Sequence, residues 1–243
     1  MTPRTWHRPS TLAWLLTLLG MAAFAALGVW QLDRMAQKKK FLAAFAEAPR
    51  SAPVDLATVR DIADDTRYPH ARASGHFVPD RSYLFDEQFH DGKPGVRVVA
   101  VFDTSDARLL LVDRGWIAWN HAPGTKPAVP PLTNAEEVVG IYAPYPGGGI
   151  RIGGNPLPAQ TTWPKLTLHL DPAELAADVG RPVLPRILLA DPDAASGFVR
   201  EWTPNVMPPE RHAAYAFQWF ALAIAVAAAF IVVHWRKVDN ATK

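Results

Sequence analysis

Two long uncharged stretches lie near the two ends of this sequence. Residues 10–32 and 212–235 contain no Asp, Glu, Lys or Arg, and most of their side chains are apolar. A bilayer core of about 30 Å is crossed by about 20 helical residues, because each residue of an α-helix rises about 1.5 Å. The pattern therefore predicts one transmembrane helix over residues 12–32 and a second over residues 212–235.

These stretches have two alternative interpretations, a cleaved signal peptide and a pair of buried core helices. Ala23, Phe24 and Ala25 resemble the small-residue cleavage site of a signal peptide. The apolar run continues past them to Trp30, which favours an uncleaved anchor. Core helices are disfavoured because both stretches lie at the chain ends and are uncharged for more than 22 positions.

Two spans place both termini on one side of the membrane and residues 33–211 on the other. The positive charges that flank the spans give conflicting indications of which side is cytoplasmic. Four favour cytoplasmic termini, namely Arg4, Arg8, Arg236 and Lys237. Arg34 and the lysines at 38–40 favour the opposite orientation. Long domains are exported largely regardless of charge. We therefore expect cytoplasmic termini at 1–11 and 236–243 and a periplasmic domain at 33–211. We also expect the setting to be a bacterial inner membrane, since the leader before the first span is too short for a mitochondrial transit peptide.

The middle domain carries mostly strand signals. Residues 35–48 are rich in Ala, Lys, Gln and Leu and predict a helical extension of the first span. Short apolar runs, separated by Pro, Gly and Asp, then predict strands over 76–87, 96–103, 108–118, 136–142, 166–170 and 183–190. A short helix is predicted between Asp171, as N-cap, and Gly180. The fold class is thus a hairpin of two transmembrane α-helices flanking a mainly β (α+β) domain, a small antiparallel barrel or sandwich.

Composition narrows the function classes. A formal net charge of +2 gives no footprint for nucleic acid, and the absence of cysteine excludes a disulfide scaffold, a thiolate metal site and covalent c-type haem. No standard hydrolase motif occurs, which disfavours a membrane-anchored hydrolase. The glycine-rich residues 147–154 predict a flexible loop, because no helix follows them to hold a phosphate.

Histidine is the remaining candidate for cofactor chemistry, and His212 begins the second span. On a helix, His212, Tyr215 and Trp219 share one stripe. In an antiparallel hairpin, the outer end of the first span lies at the same depth and contributes the set Trp30, Gln31 and Arg34. An imidazole next to aromatic rings suits a flat hydrophobic ligand, so we expect a binding site here.

Two further features of the spans predict how they pack. Gln31 and Gln218 are the amides of the uncharged stretches, and they could bond to each other across the helix pair. Ala221, Ala225 and Ala229 form a ridge of small residues that predicts close packing against the first helix. The alternative for the whole stripe is that its aromatic and polar residues serve only membrane anchoring and helix packing.

Three segments resemble the hallmark motifs of the surfeit locus protein 1 family, and they occur in the family's order along the whole chain. The segments are GVWQLDR at 28–34, LVDRGWI at 111–117 and HAAYAFQWF at 212–220. Tyr68 and Gly75 also match ahead of the middle motif. The sequence departs from the family near Gln37, where an aromatic residue is usual, and at Asp113, where Asn is usual.

The resemblance implies a non-enzymatic assembly factor for haem-copper cytochrome c oxidase that assists insertion of haem a into the catalytic subunit. The partners implied are cytochrome c oxidase subunit I and membrane lipid, with the haem a synthesis machinery as a further candidate. The resemblance also implies haem a binding through His212 as the iron ligand. This agrees with the stripe described above, in which Tyr215 and Trp219 can supply apolar walls and Arg34 a cation for the propionates, with Gln31 at the same depth. Arg114 is a more distant candidate for the propionates, or else an anchor of the sheet. A structural chaperone of the core subunit that never binds haem is the competing hypothesis.

Overall fold

The computed structural model describes residues 4–104, 106–122, 125–132, 135–146, 154–202, 204 and 206–237. Within these residues the helices are α1 (Thr11–Glu47), α2 (Leu56–Val59), α3 (Pro172–Val179) and α4 (Pro209–His234). The strands are β1 (Arg4–Trp6), β2 (Val54–Asp55), β3 (His70–Ser74), β4 (His76–His90), β5 (Lys93–Asp103), β6 (Leu109–Ala118), β7 (Glu137–Pro144), β8 (Lys165–Thr167), β9 (Val183–Ala190) and β10 (Trp235–Lys237). The glycine-rich segment predicted as a flexible loop lies, except for Gly154, outside the described residues.

The chain forms two compact units. One contains α1 as far as Leu42 and the residues from Val206 onward, and the other extends from Ala43 to Asn205. In the first unit, α1 and α4 are both long and apolar enough to cross a membrane, as expected of a membrane protein. Only 6% and 17% of their most apolar windows are buried, unlike the core helices of a soluble protein.

The helical pair runs antiparallel. Residues late in α1 meet residues early in α4, as Gln31 does with His212, whereas Trp14 at the start of α1 contacts Phe230 near the end of α4. Beyond the helices, the chain ends pair as a short antiparallel ribbon of β1 and β10, in which Trp6 lies opposite Trp235. The sequence pattern did not predict this ribbon, since three residues are too few to show an alternation.

The second unit is built on an eight-stranded mixed sheet, counted over the described residues, in the order β2-β3-β7-β9-β6-β5-β4-β8. The β4–β5–β6 meander is antiparallel, as are β3–β7 and β7–β9, but β2–β3, β4–β8 and β6–β9 are parallel. The prediction of an antiparallel sheet is therefore wrong for three strand pairs. Pairings between distant segments are set by tertiary packing, which local alternation does not reveal.

The sheet is buried on both faces. Leu109, Leu111 and Ile187 belong to one core cluster, together with Phe45 from the end of α1 and Leu175 from α3. The side chains that alternate with these along β6 and β9 belong to a second cluster, which also includes Leu56 from α2. They are Leu110, Val112 and Leu188. Because successive side chains point to opposite faces, these strands are almost continuously apolar.

Several local predictions are confirmed. The first helix continues past the apolar stretch to Glu47, and its last turns contribute Phe45 to the core. In α3, Asp171 accepts hydrogen bonds from the backbone N–H groups of Ala173 and Glu174, and Gly180 ends the helix at φ +76°. Closure of the sheet into a barrel is not confirmed, because the described strand order ends at β2 and β8.

Gly75 joins β3 to β4 in a conformation that only glycine adopts easily. Its φ is +156°, and a Cβ atom there would lie 2.1 Å from the carbonyl oxygen of Asp103 on β5. We predict that Gly75→Ala lowers the free energy of unfolding by about 2–4 kcal/mol, because both the dihedral and the contact become unfavourable. Thermal unfolding of the purified full-length protein in detergent measures this.

Gly154→Ala is the matched control, since a Cβ atom there would meet nothing within 4 Å. It is expected to change the free energy of unfolding by less than about 0.5 kcal/mol. Equal melting temperatures for the two variants would show that the turn at Gly75 tolerates a side chain.

Candidate functional site

His212 lies in the first turn of α4 and is 8% exposed. Its ring Nδ1 is 2.7 Å from Oε1 of Gln31 on α1. An amide oxygen only accepts hydrogen bonds, so Nδ1 donates its proton to Gln31. The hydrogen bond therefore joins the two apolar helices and fixes which ring nitrogen carries the proton.

The other ring nitrogen of His212 is buried and unsatisfied. Nε2 has no hydrogen-bond partner among the residues that the structure describes. With the proton on Nδ1, Nε2 carries a lone pair. A buried imidazole nitrogen with a free lone pair is a ligand for a transition metal, and metal-ligating histidines usually donate their second N–H to a neighbouring acceptor in this way.

The aromatic residues of the predicted stripe do not all share one environment. Trp219 is half-buried and stacks on Phe24 of α1, with ring centroids 5.8 Å apart and an interplanar angle of 20°. Tyr215 is 42% exposed. The helix pair thus brings His212, Gln31 and Trp219 to its inner face and leaves Tyr215 on its surface.

Arg34 lies one helical turn beyond Gln31 on α1 and is exposed. Its Nη1 donates to Oε1 of Gln37 at 3.0 Å, and its guanidinium lies 5.4 Å from the ring centre of Trp30. Gln37 in turn donates to Asp33 at 2.6 Å. The exposed end of this side chain is held by surface hydrogen bonds that water or an anionic ligand can replace.

Two predictions about helix packing are wrong. Gln31 bonds to His212 and not to Gln218, which is exposed on α4. The ridge of Ala221, Ala225 and Ala229 is also exposed, while Ala216 and Ala223 are buried. Sequence spacing identified one row of small residues, but Ala223 and Ala227 form a second one on this alanine-rich helix, so composition could not select the contacting row.

The contacting face meets the glycine of the first motif. A Cβ atom at Gly28 would lie 2.7 Å from the ring of Phe220, whereas one at Gly20 would lie 3.9 Å from Val226. Gly28 therefore permits close approach of α1 to α4, one turn from the His212–Gln31 hydrogen bond. Phe24 and Phe220 complete this packing. Sequence reasoning missed both, because an apolar ring in an apolar span carries no distinguishing signal.

Arg114, in the middle motif, makes its contacts within the sheet domain. Its Nη1 and Nη2 donate to the carbonyl oxygens of Pro130 and Pro131 at 3.0 and 2.6 Å, and its guanidinium lies 4.6 Å from the ring centre of Phe198. Burial lowers its pKa to about 10. These contacts match the anchoring role that was the alternative for Arg114.

The neighbouring Asp113 is fully buried and pairs with Arg97, whose Nη2 lies 2.6 Å from Oδ2. Burial raises the pKa of the Asp113 carboxyl, and the Arg97 guanidinium opposes this shift. Asp113 also accepts the backbone N–H of Gly115 at 3.0 Å. The charge that this sequence carries where the family usually has Asn is therefore compensated within the domain.

The described residues contain no group of three or more histidine, aspartate or glutamate side chains that could hold a metal ion. Any metal at His212 would thus have to arrive with further ligands of its own, as the iron of a haem does.

The family model described as the SURF1 family matches residues 18–224, which include most of α1, the sheet domain and the first half of α4. The chain belongs to the SURF1 family. This family is known in general for cytochrome oxidase assembly factors and is not a known enzyme family.

SURF1-like proteins from several organisms are similar to the chain over most of its length. The protein from Rickettsia bellii is 29% identical over 217 residues, 86% of this chain and 85% of its own length. The one from Rickettsia felis is 26% identical, covering 90% and 95%. The one from Monosiga brevicollis is 24% identical, covering 96% and 91%. Membership thus covers both spans and the domain.

The SURF1 hairpin is expected to depend on Gly28. Gly28→Ala should lower the free energy of unfolding of the detergent-solubilised protein by about 1–3 kcal/mol, because the new methyl group overlaps the ring of Phe220. Thermal unfolding followed by tryptophan fluorescence measures the change.

Gly20→Ala is the control on the same helix, where the added methyl group makes only an ordinary contact with Val226. Adding Phe220→Leu to Gly28→Ala should recover part of the loss, since the smaller side chain leaves room for the methyl group. A Gly28→Ala protein as stable as Gly20→Ala would contradict the close packing described here.

Proposed function

We propose that this SURF1 family member carries haem a to the catalytic subunit of a haem-copper cytochrome c oxidase and assists its insertion. The observation that carries the proposal is the partnerless Nε2 of His212, a buried nitrogen at one end of an apolar helix pair. Leaving a buried polar atom without a hydrogen bond costs about 1–3 kcal/mol. Such an atom is expected where a ligand, here the iron of the haem cargo, completes the site.

Gln31 prepares this nitrogen for ligation. By accepting Nδ1–H at 2.7 Å it keeps the lone pair on Nε2 and holds the ring orientation. The amide carries no charge, so the pair needs no imidazolium form inside an apolar hairpin. Haem supplies an iron that accepts an imidazole as axial ligand. One neutral histidine ligand suits a carrier that must later release its cargo to the stronger sites of cytochrome c oxidase subunit I.

The surrounding side chains suit the rest of a haem. Trp219 and the surface-exposed Tyr215 provide aromatic surface next to His212, and Arg34 offers a cation for a propionate once its hydrogen bond to Gln37 is exchanged. Nε2 is covered in the structure, so binding requires a neighbouring side chain to move aside. Haem a would come from the membrane or directly from the haem a synthesis machinery.

The second candidate function is a structural chaperone of the oxidase core subunit that does not bind haem. The same hydrogen bond favours it, because a cross-helix His–Gln pair stabilises a helical hairpin by about 0.6 kcal/mol, and up to about 1.7, without any ligand. The close contact of Gly28 with Phe220 is also explained by packing alone.

The two functions predict different haem a contents for the purified protein. Full-length protein isolated from cells that make haem a should contain haem a with the visible spectrum of a histidine-ligated species. His212→Ala should lose at least about 90% of it, because the substitution removes the proposed iron ligand. Gln31→Leu should bind several-fold less, since the ring loses its fixed tautomer. Spectra and pyridine haemochrome analysis give both quantities.

His234→Ala is the matched control, because this histidine lies at the opposite end of α4 and bonds the carbonyl oxygen of Phe230. It should retain its haem. If the wild-type protein contains no haem but still supports oxidase assembly, the structural chaperone is the better description. If His212→Ala and the wild type contain equal haem, His212 is not the ligand.

The proposal also places residues 33–211 in the periplasm and both termini in the cytoplasm. An alkaline phosphatase fusion, active only after export, should therefore be active when inserted at Pro127 and inactive at Lys243. A cytoplasm-dependent fluorescent fusion should give the reverse pattern. Activity of the phosphatase only at Lys243 would invert the orientation.

A further inference from the structure

His70, at the start of β3, is 7% exposed and lies between two acceptors in the sheet domain. Its Nδ1 is 2.6 Å from the carbonyl oxygen of Ser51, and its Nε2 is 2.8 Å from Oδ2 of Asp191, just after β9. A carbonyl oxygen and a carboxylate both accept hydrogen bonds. A neutral imidazole has only one N–H, so it can satisfy only one of them.

Both contacts are hydrogen bonds only when the ring carries the extra proton. With it, both ring nitrogens donate, and the positive ring faces the Asp191 carboxylate. Without it, one ring lone pair faces an oxygen lone pair at less than 3 Å, which is repulsive. The second carboxylate oxygen of Asp191 is buried and has no hydrogen-bond partner among the described residues, so the proton beside Oδ2 is the neutralising one.

The segment that His70 holds has few other attachments to the sheet. Ser51 follows the short helical turn at the end of α1, and the next strand, β2, pairs with β3 over only two residues. Arg72 adds a long hydrogen bond to the carbonyl oxygen of Pro53 at 3.4 Å, and Val54 is 41% exposed. Ser51–His70–Asp191 thus links this edge of the sheet to the inner strand β9.

We propose that His70 is a proton-dependent latch that fastens residues 51–55, the connection from α1 into the sheet, to the end of β9. The latch is closed when both ring nitrogens are protonated. As pH rises and the ring loses one proton, one of the two hydrogen bonds is lost and the edge strand loosens. The device sets how firmly the domain holds the chain that leaves the first span.

The charged groups around His70 are arranged as a latch that closes on protonation requires. Oδ2 of Asp191 faces Nε2 of His70 at 2.8 Å. Arg200, in the following segment, donates from Nη1 to the backbone carbonyl oxygen of Asp191 at 2.6 Å and thus leaves the carboxylate to His70. Arg72, on the same strand as His70, directs its guanidinium to Pro53.

Hydrogen–deuterium exchange of the full-length protein in detergent micelles tests the latch. Exchange is compared in buffers near pH 5.5 and pH 8.5. After correction for intrinsic exchange, peptides covering residues 51–55 should lose protection by about tenfold or more at the higher pH. Asp191→Asn should remove this pH dependence, because its amide can donate to a neutral Nε2.

His76→Gln is the control, since His76 is exposed on the neighbouring strand, and it should behave as the wild type. Nitrogen-15 spectra of the histidine rings provide a second readout, in which both nitrogens of His70 should be protonated at the lower pH. Equal protection of residues 51–55 at both pH values in the wild type would overturn the proposal. So would a neutral His70 ring near pH 5.5.

Discussion

The hydrogen bond from His212 to Gln31 is the interaction on which the hairpin site depends. A polar side chain within an apolar span has no water to bond, so each of these two residues needs the other. The pairing sets the register of α1 against α4 at this end, and Gly28 allows the close approach one turn away. It also leaves one ring nitrogen without a partner, so the stability of the helix pair and the chemistry of its histidine have the same origin.

In the sheet domain, too, buried polar side chains have hydrogen-bond partners, but the partners are of a different kind. Its two buried arginines among the described residues point to backbone carbonyl oxygens: Arg114 holds the turn at Pro130 and Pro131, and Arg186 holds the loop at Asp64 and Arg67. A guanidinium offers several donors in a fixed plane and can join segments that lack regular structure. Pro130 and Pro131 have no backbone N–H, so the Arg114 guanidinium supplies donors in a segment that lacks its own.

What the sequence could predict follows from the range of the interactions involved. The two spans, the extension of α1, the capped helix α3 and most strands depend on neighbours within a few residues, and hydrophobic pattern and capping residues identified them. The parallel pairing of β6 with β9 and the choice of Ala216 and Ala223 over Ala221 and Ala225 depend on contacts between distant segments. His212 and Gln31 were singled out as rare polar residues in apolar stretches, but which amide pairs with the histidine required the helix register.

The two buried histidines of the described residues differ in the acceptor that faces them, and this difference underlies the separate roles that we propose for them. His70 faces a carboxylate and a carbonyl oxygen, so its arrangement is complete only with a proton on each nitrogen. His212 faces one uncharged amide, so its arrangement is complete with a single proton, and the second nitrogen keeps its lone pair. A carboxylate in place of Gln31 would favour the charged ring and occupy the lone pair with a proton. The amide is therefore the partner that a neutral, ligating imidazole needs within an apolar helix pair.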